Sequence, residues 1–486
     1  MEKFFGIKER GSTLRAEIIG GLTTFFAMAY IVFVNPTQVA AGGADGWLAA
    51  KMTEAGADPA VLGTIWNSVY IASILVAIVG TLIMALYAKM PFAQACGMGL
   101  NAFFCTMFVS GAFFSKVDVI KGYQAGLVIV LLEGIVFLVL SVTGLRKYIA
   151  TSMPDCLKKA IPAGIGLFIA FIGMQNVGII QANPYTLVQF VDIHGALFTE
   201  NGGGWAAIAP AIIALLGLLI IAVLGKLKVK GNVILGILIT TVLYYLLTWT
   251  VPTFDLGAIG QSFKDFGTIG ITGIFQADSW KNAFTGANIG GIFNAIILII
   301  SFCLVDMFDT LGTLYGTASQ ADLLDENGDP INIGQCMMAD SVATCAGAVF
   351  GTSTCTTFVE SASGVGAGAR TGLASVVTAA CFAVCLFLSP LASIIPAAAT
   401  APALIYVGVL MLHGFGKIDM TDLRSSVPAF LTLTAMPLTY SISNGIGIGA
   451  ISYIFITLVT GKYTKKDIVA TVIALLFIFR FVAVTM

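Results

Sequence analysis

Charged residues are scarce in this chain: Asp, Glu, Lys and Arg make up 10% of its 486 residues, against about 25% in soluble globular domains. So few charges cannot clothe a surface that faces water on all sides, which excludes a soluble enzyme or adaptor. Histidine is scarcer still. With only His194 and His413, a structural zinc site has too few ligands, and no metal or cofactor is expected. The nine cysteines are scattered without a CxxC pair, and Cys105, Cys303, Cys381 and Cys385 lie inside apolar runs. Such cysteines pack as small apolar side chains rather than carry redox chemistry. An excess of either sign is also missing: 24 Lys plus Arg nearly balance 25 Asp plus Glu, so nothing points to nucleic acid. The opening residues, Met1-Glu2-Lys3-Phe4-Phe5-Gly6-Ile7-Lys8, have no short apolar core with a small-residue cleavage site. They read as a retained cytoplasmic segment.

What the chain has in abundance is hydrophobic length, with 58% apolar residues. A helix needs about 20 largely apolar residues to cross the hydrocarbon core. Single stretches that meet this requirement run from Ile18 to Ala44, Val61 to Ala88, Met90 to Ser115, Ala160 to Val191, Asn201 to Gly225, Gly231 to Phe254, Asn282 to Val305 and Ser341 to Val359. Gly122 to Leu145 is interrupted only by Glu133, while Thr371 to Gly416 and Ser425 to Gly461 are each long enough for two crossings. The sum is about thirteen crossings, and Ile468 to Phe479 offers a fourteenth. Lys8, Arg10 and Arg15 precede the first span, Arg146, Lys147, Lys158 and Lys159 follow the fourth, and Lys226, Lys228 and Lys230 follow the sixth. Gln181 to Gly204, after the fifth, has no Lys or Arg, so the positive-inside rule places the N-terminus in the cytoplasm.

Two segments break the helical pattern at matching places in the two halves. One is Pro91 to Phe104, containing Gln94-Ala95-Cys96-Gly97; the other is Gly351 to Phe358, rich in Thr and leading into Glu360. Paired, interrupted spans point to an inverted-repeat transporter with its site near the midplane. Irregular backbone at that depth is tolerated only where protein or a water-filled cavity satisfies its N–H and C=O groups. Helix starts there aim free N–H donors and a positive dipole end at one point, which suits a polar solute.

Glu360, Asp306 and Asp309 are the most informative acids, because a charge at bilayer depth costs roughly 2.5 to 3.5 kcal/mol on insertion scales and is kept for a substrate, an ion or a proton. The bland alternative is a structural pairing with Arg370, Lys281 or a backbone donor. Asp306 and Asp309 are three residues apart and share a helix face with Thr313. Low-dielectric surroundings favour the neutral form of a carboxyl, the property a proton-coupled carrier needs. Asn101 offers either a substrate contact or an interhelical hydrogen bond. Phe25, Phe26 and Phe358 are candidates to stack on a flat ring, and Glu133 reads as a helix-interface residue. The loop from Asp322 to Pro330 lacks the ligand spacing of an EF-hand and reads as a solvated turn.

Four motifs, in order, carry a resemblance: Gly21-Leu22-Thr23-Thr24-Phe25-Phe26-Ala27-Met28-Ala29-Tyr30 continuing to Pro36; Gly97-Met98-Gly99-Leu100-Asn101-Ala102-Phe103-Phe104; Val305-Asp306-Met307-Phe308-Asp309-Thr310-Leu311-Gly312-Thr313; and Glu360-Ser361 through Gly372. Over nearly its whole length the chain resembles the AzgA-like purine permeases, a branch of the nucleobase/cation symporter-2 (xanthine/uracil permease) superfamily. The resemblance implies an all-α polytopic membrane protein of fourteen spans in two inverted repeats of seven, with short strands in spans 3 and 10. The repeats would cover residues 1–250 and 290–486, joined by an extracellular connection over 251–289. A core domain would comprise spans 1–4 and 8–11, and a gate domain spans 5–7 and 12–14. The implied activity is import of hypoxanthine, guanine or adenine with protons across the plasma membrane, by elevator-like motion in a homodimer.

Carried over by motif, Glu360 matches the tenth-span acid that holds the base, Asp306 the eighth-span acid, Asn101 the polar third-span position and Phe358 a neighbour of the ring. The expected substrate contacts are Glu360, Asp306, Asn101, Phe358, Thr357, Thr24, Phe25, Cys96 and Gly97. The expected proton-coupling acids are Asp306, Glu360 and Asp309. An anion transporter or channel of the same architecture is the alternative, disfavoured by the acids. An intramembrane aspartyl protease is disfavoured by the lack of a GxGD motif beside the Asp pair.

Overall fold

Helices dominate the computed structural model of the chain, which describes residues 2–43, 46–144, 153–183, 185–199, 203–229, 231–252, 257–287, 289–320, 323–326, 330–392 and 394–483. Arg146, Lys147, Lys230 and, in the loop from Asp322 to Pro330, Asp322, Asn327, Gly328 and Asp329 lie outside the described residues. Among the described residues, nine helices of at least 18 residues are apolar enough to cross a membrane, and four shorter apolar helices accompany them: Met98–Phe114, Asn232–Thr248, Gly372–Cys385 and Ile468–Val482. The first span is two helices, Leu14–Met28 and Ile31–Val39, and Tyr30 sits at their junction. The stretch from Ala160 to Val191, expected as one span, is instead a helix, Asp155–Asn176, followed by a hairpin of β2 (Ile180–Asn183) and β3 (Leu187–Phe190). Gly178, at φ 73, ends that helix, and a left-handed residue just past a helix is the usual glycine stop.

The helices pack in two groups. In the first, Leu14–Met28 lies against Gly372–Cys385, Ala60–Ile83 against Ile333–Phe350, and Val119–Val142 against Ile333–Phe350 and Ile292–Gln320. In the second, Asp155–Asn176 packs on Ala397–Met411 and Leu423–Leu438, and Gly204–Lys226 on Asn232–Thr248 and Ala397–Met411. The first group holds the two interrupted segments.

Those segments form a two-stranded antiparallel sheet deep in the protein. β1 (Gln94–Cys96) pairs with β4 (Cys355–Thr357) in the register Gln94 to Thr357, Ala95 to Thr356 and Cys96 to Cys355, and all six residues are buried. Two further bonds extend the ladder, Gly97 N–H to Thr354 C=O at 3.1 Å and Phe358 N–H to Ala93 C=O at 3.0 Å. The outer edges of so small a sheet are otherwise exposed donors and acceptors, which hydrocarbon cannot satisfy. A threonine clamps each one. Thr81 Oγ1 accepts from Gln94 N–H at 2.9 Å and donates to Gln94 C=O at 3.1 Å. Thr344 Oγ1 does the same for Cys355, at 3.2 and 2.9 Å.

Each strand leads into a helix, Met98–Phe104 after β1 and the six-residue Ser361–Gly366 after β4. The second of these lies so close to the first span that a Cβ on Gly364 would sit 2.1 Å from Thr24 Oγ1 and 2.5 Å from the Gly20 carbonyl. Only glycine fits there. Glu17, fully buried at the start of the first span, accepts the N–H groups of Arg370 at 2.9 Å and of Thr371 and Ala374 at 3.3 Å. A carboxylate at a helix start, here Gly372–Cys385, supplies the orphan donors with acceptors and complements the dipole.

Candidate functional site

A cavity of about 890 Å³ lies between the two helix groups, large for a small-molecule site. One wall comes from the strand-bearing group: Tyr30, the backbone of Gly97 to Gly99, Asp309, Thr313, Thr356, Thr357, Phe358 and Glu360. The other comes from the second group and is chiefly apolar, with Pro162, Val407, Leu410 and Met411; Lys158, Lys159 and Lys417 stand at its mouth. Every acid on the cavity surface belongs to the first wall.

Glu360 immediately precedes the Ser361–Gly366 helix and is half-buried. Tyr30, from the junction in the first span, donates its hydroxyl to Glu360 Oε1 at 2.6 Å. That distance is characteristic of a hydrogen bond to a charged oxygen, and it fixes the direction of a carboxylate that lines the cavity. Arg370, a possible counter-ion from sequence, is not its partner. The Arg370 guanidinium donates to the carbonyls of Val365 and Ala369, both at 2.8 Å.

The two eighth-span acids part company here. Asp309 lines the cavity, and its Oδ2 would lie 3.7 Å from a Cβ on Gly97. Asp306 is fully buried off the cavity, where its Oδ2 lies 3.3 Å from the Thr344 hydroxyl that clamps Cys355. Three residues along a helix rotate a side chain by about 60° from its neighbour. That rotation turns Asp306 to the Ile333–Phe350 helix and Asp309 to the open space. The cavity-wall acid is therefore Asp309, where the motif comparison had favoured Asp306.

Other expected contacts also lie off the cavity. Asn101 is fully buried in an amide and hydroxyl network, donating to Asn35 Oδ1 and accepting from Ser353 Oγ, while Asn35 donates to Ser73 Oγ. It is an interhelical tie that joins the first half-helix, the first span and the approach to β4. Cys96 lies 3.2 Å from Thr352 Oγ1 inside the sheet region. Thr24 is packed against Gly364, and Phe25 stacks edge-on with Phe382 at 5.3 Å. Glu360, Phe358, Thr357 and Gly97 do line the cavity.

Behind the sheet lies a buried acid that the sequence did not single out. Asp340 accepts from Thr310 Oγ1 at 2.7 Å and from Gln94 Nε2 at 3.4 Å, and Thr310 in turn meets Thr356 Oγ1 at 2.8 Å. This network couples the Ile292–Gln320 helix to both strands. The only signal for Asp340 was its position next to the uncharged run that starts at Ser341. Glu133 is fully buried on the helix side that packs against Ile333–Phe350.

Comparison with known proteins completes the picture. A family model, the permease family of xanthine/uracil permeases, matches residues 15–448. The chain belongs to this family. It is 39% identical to the guanine/hypoxanthine permease PbuG of Bacillus subtilis over 99% of both chains. It is 35% identical to the adenine permease AdeP of Escherichia coli over 99% of this chain and 96% of that one. Among solved structures, the transmembrane domain of the cyanobacterial bicarbonate transporter BicA aligns with a TM-score of 0.60 at 15% identity, covering 88% of this chain and 97% of that one. Murine Slc26a9, an anion transporter captured in an inward-facing state, aligns at 0.58 and 12% identity over 92% and 69%. These two likenesses establish a shared fold. As a member of a permease family with nine long apolar helices among its described residues, this permease is an integral membrane transporter and not an enzyme.

Proposed function

We propose that this permease imports purine nucleobases, hypoxanthine, guanine or adenine, together with protons. The observation that carries the reading is Glu360, oriented by Tyr30 and lining the same cavity wall as Asp309 and the β4 residues Thr356 and Thr357. A purine presents ring N–H donors along one edge and a flat apolar face. A carboxylate accepting from that edge, backbone groups at Gly97 to Gly99 and the ring of Phe358 match it. The names of the relatives, guanine/hypoxanthine and adenine permeases, support the same substrate class. The bicarbonate and anion cargo of the structural neighbours fits poorly, because the cavity wall holds two acids and its lysines stand only at the mouth. In this reading Glu360 and Asp309 handle base and proton, and Asp306 with Asn101 supports the backbone that carries them.

The two helix groups act as core and gate, in a chain with a cytoplasmic N-terminus in the plasma membrane. The division of the cavity supports motion of one group against the other: all the acids and the strand backbone belong to one side. The mouth ringed by Lys158, Lys159 and Lys417 then faces the cytoplasm. Uptake of labelled hypoxanthine, guanine, adenine, xanthine and uracil in cells lacking their own permeases, with and without an uncoupler, tests the reading. Absence of all purine uptake would refute the substrate, and insensitivity to the uncoupler would refute proton coupling.

A further inference from the structure

A second, much smaller space lies farther along the same seam between the two helix groups. It holds about 10 Å³, room for roughly one water, and Gln38, Thr106, Ser110, Asn176 and Tyr440 are among its walls. Two helices line both spaces. Asp155–Asn176 gives Lys158, Lys159 and Pro162 to the large cavity and Asn176 to the small one. The segment after β1 gives Gly97 to Gly99 to the large cavity and Thr106 and Ser110 to the small one. Lys158 and Asn176 are 18 positions apart, about 27 Å at the helical rise, so the small space is at the end opposite the lysine mouth. There the seam is shut.

Thr106 and Ser110 hydrogen-bond to their own helix, but two amides at that closure do not find partners for all their atoms. Gln38 is 3% exposed, and neither its amide oxygen nor its amide nitrogen has a hydrogen-bond partner; the same holds for the buried Asn176 Oδ1. Buried amides are normally satisfied, and each exception calls for a reason. Packing does not provide one, since leucine fills comparable volume without stranded donors or acceptors. Gln38 comes from the first span and Asn176 from the facing group, so the two amides separate whenever this end of the seam opens.

We infer that Gln38 and Asn176 form an outer recognition site, at which the hydrogen-bonding edge of an incoming purine is first held before it passes to Glu360. The inference rests on the purine-import reading. Amide side chains offer both a donor and acceptors, so they match the mixed edge of a nucleobase, and they place no fixed charge in the path of a neutral solute. Closure of the seam strips them of partners, which discourages purine from lingering at this end once the inner cavity is open.

The test compares Gln38→Leu and, independently, Asn176→Leu with the unaltered full-length permease. Uptake kinetics for the purine that the wild type transports best are measured from outside in permease-deficient cells. Equilibrium binding of the same purine is measured on purified protein. The expected result is an external KM raised at least five-fold, with binding on purified protein changed less than two-fold. Gln38→Asn, which keeps the amide, should recover part of the KM. Unchanged external KM in both leucine variants would overturn the inference, as would an equal loss in binding and uptake. If one leucine variant fails to fold, the other decides. A wild type that transports no purine would instead refute the import reading itself, so the two failures are distinguishable.

Discussion

Replacing Glu360 by Gln tests the site most directly, because shape is kept and only charge and one acceptor are changed. In the structure Tyr30 donates to Glu360 Oε1 at 2.6 Å. A glutamine can still accept that bond through its carbonyl oxygen, so the side chain stays oriented and the fold is spared. Its other terminal atom becomes an NH₂ group aimed where a purine N–H must come. One charge-assisted bond, worth about 1.5 to 3 kcal/mol, is lost, and a donor left facing a donor adds an unsatisfied group at about 1 to 3 kcal/mol. Glu360 is half-buried in an open cavity, so water relieves part of the second term, leaving roughly 2 to 4 kcal/mol in all. At about 1.4 kcal/mol per decade, that is a loss of purine affinity of roughly 30-fold to nearly 1,000-fold. Isothermal titration of the detergent-purified protein measures it, with thermal unfolding as the control for folding. A loss smaller than three-fold, in a protein that unfolds like the wild type, would refute the placement of the purine edge at Glu360.

Asp309→Asn should lower purine transport at least ten-fold, whereas Asp306→Asn, off the cavity, should act mainly on thermal stability; the reverse ranking in uptake and melting assays would return the role to Asp306. Thr81→Val and Thr344→Val each strip a strand residue of both an acceptor and a donor. About 1 to 3 kcal/mol of stability should be lost in each case, read as a lower melting temperature in detergent. Gly364→Ala forces a methyl group to within 2.1 Å of Thr24 Oγ1; overpacking of this kind costs about 1 to 3 kcal/mol, so melting should drop and purine binding weaken with it as the Glu360 segment is displaced. Arg424→Ala removes bonds to Tyr453 Oη at 2.8 Å and Thr457 Oγ1 at 2.9 Å and an ion pair with Asp467 at 3.7 Å. Proteolysis should then reach the segment from Lys462 to Asp467 faster while purine binding is preserved.

Membrane crossing was the most legible property in the sequence, because a run of about 20 apolar residues is a length requirement set by the bilayer and not by neighbouring chains. The interrupted segments were legible for a related reason: Gly97 and the Thr-rich run from Thr352 to Thr357 break helical continuity in places that hydrocarbon would not tolerate unaided. Direction was not legible. Asp306 and Asp309 are separated by one partial turn, and which of them meets open space depends on the helix packed behind, here Ile333–Phe350. Asn101 looked like a ligand because its chemistry suits one, yet Asn35 and Ser353 already occupy it. Tyr30 was hidden by ordinariness, a tyrosine at the end of an aromatic run whose partner lies 330 residues away. The Ile180–Phe190 hairpin was missed because uncharged alternating residues there fit a helix count as easily as a strand.

The distribution of polar groups over the cavity constrains how transport can work. Glu360, Asp309, Thr356, Thr357 and the Gly97 to Gly99 backbone all belong to one helix group, and the facing wall near them is Pro162, Val407, Leu410 and Met411. If the wall groups had shared the hydrogen bonds, opening the seam would break them, and each buried group left unsatisfied would add about 1 to 3 kcal/mol to the barrier. With all of them on one side, the facing apolar surface makes only non-directional contacts, as the proposed motion of one group against the other requires. The Thr81 and Thr344 clamps tie β1 and β4 to helices of their own group. On the proposed reading the sheet, its two acids and the bound base would travel as one body, with the Gln38 and Asn176 closure at the far end of the seam as the place where that travel would first admit solvent.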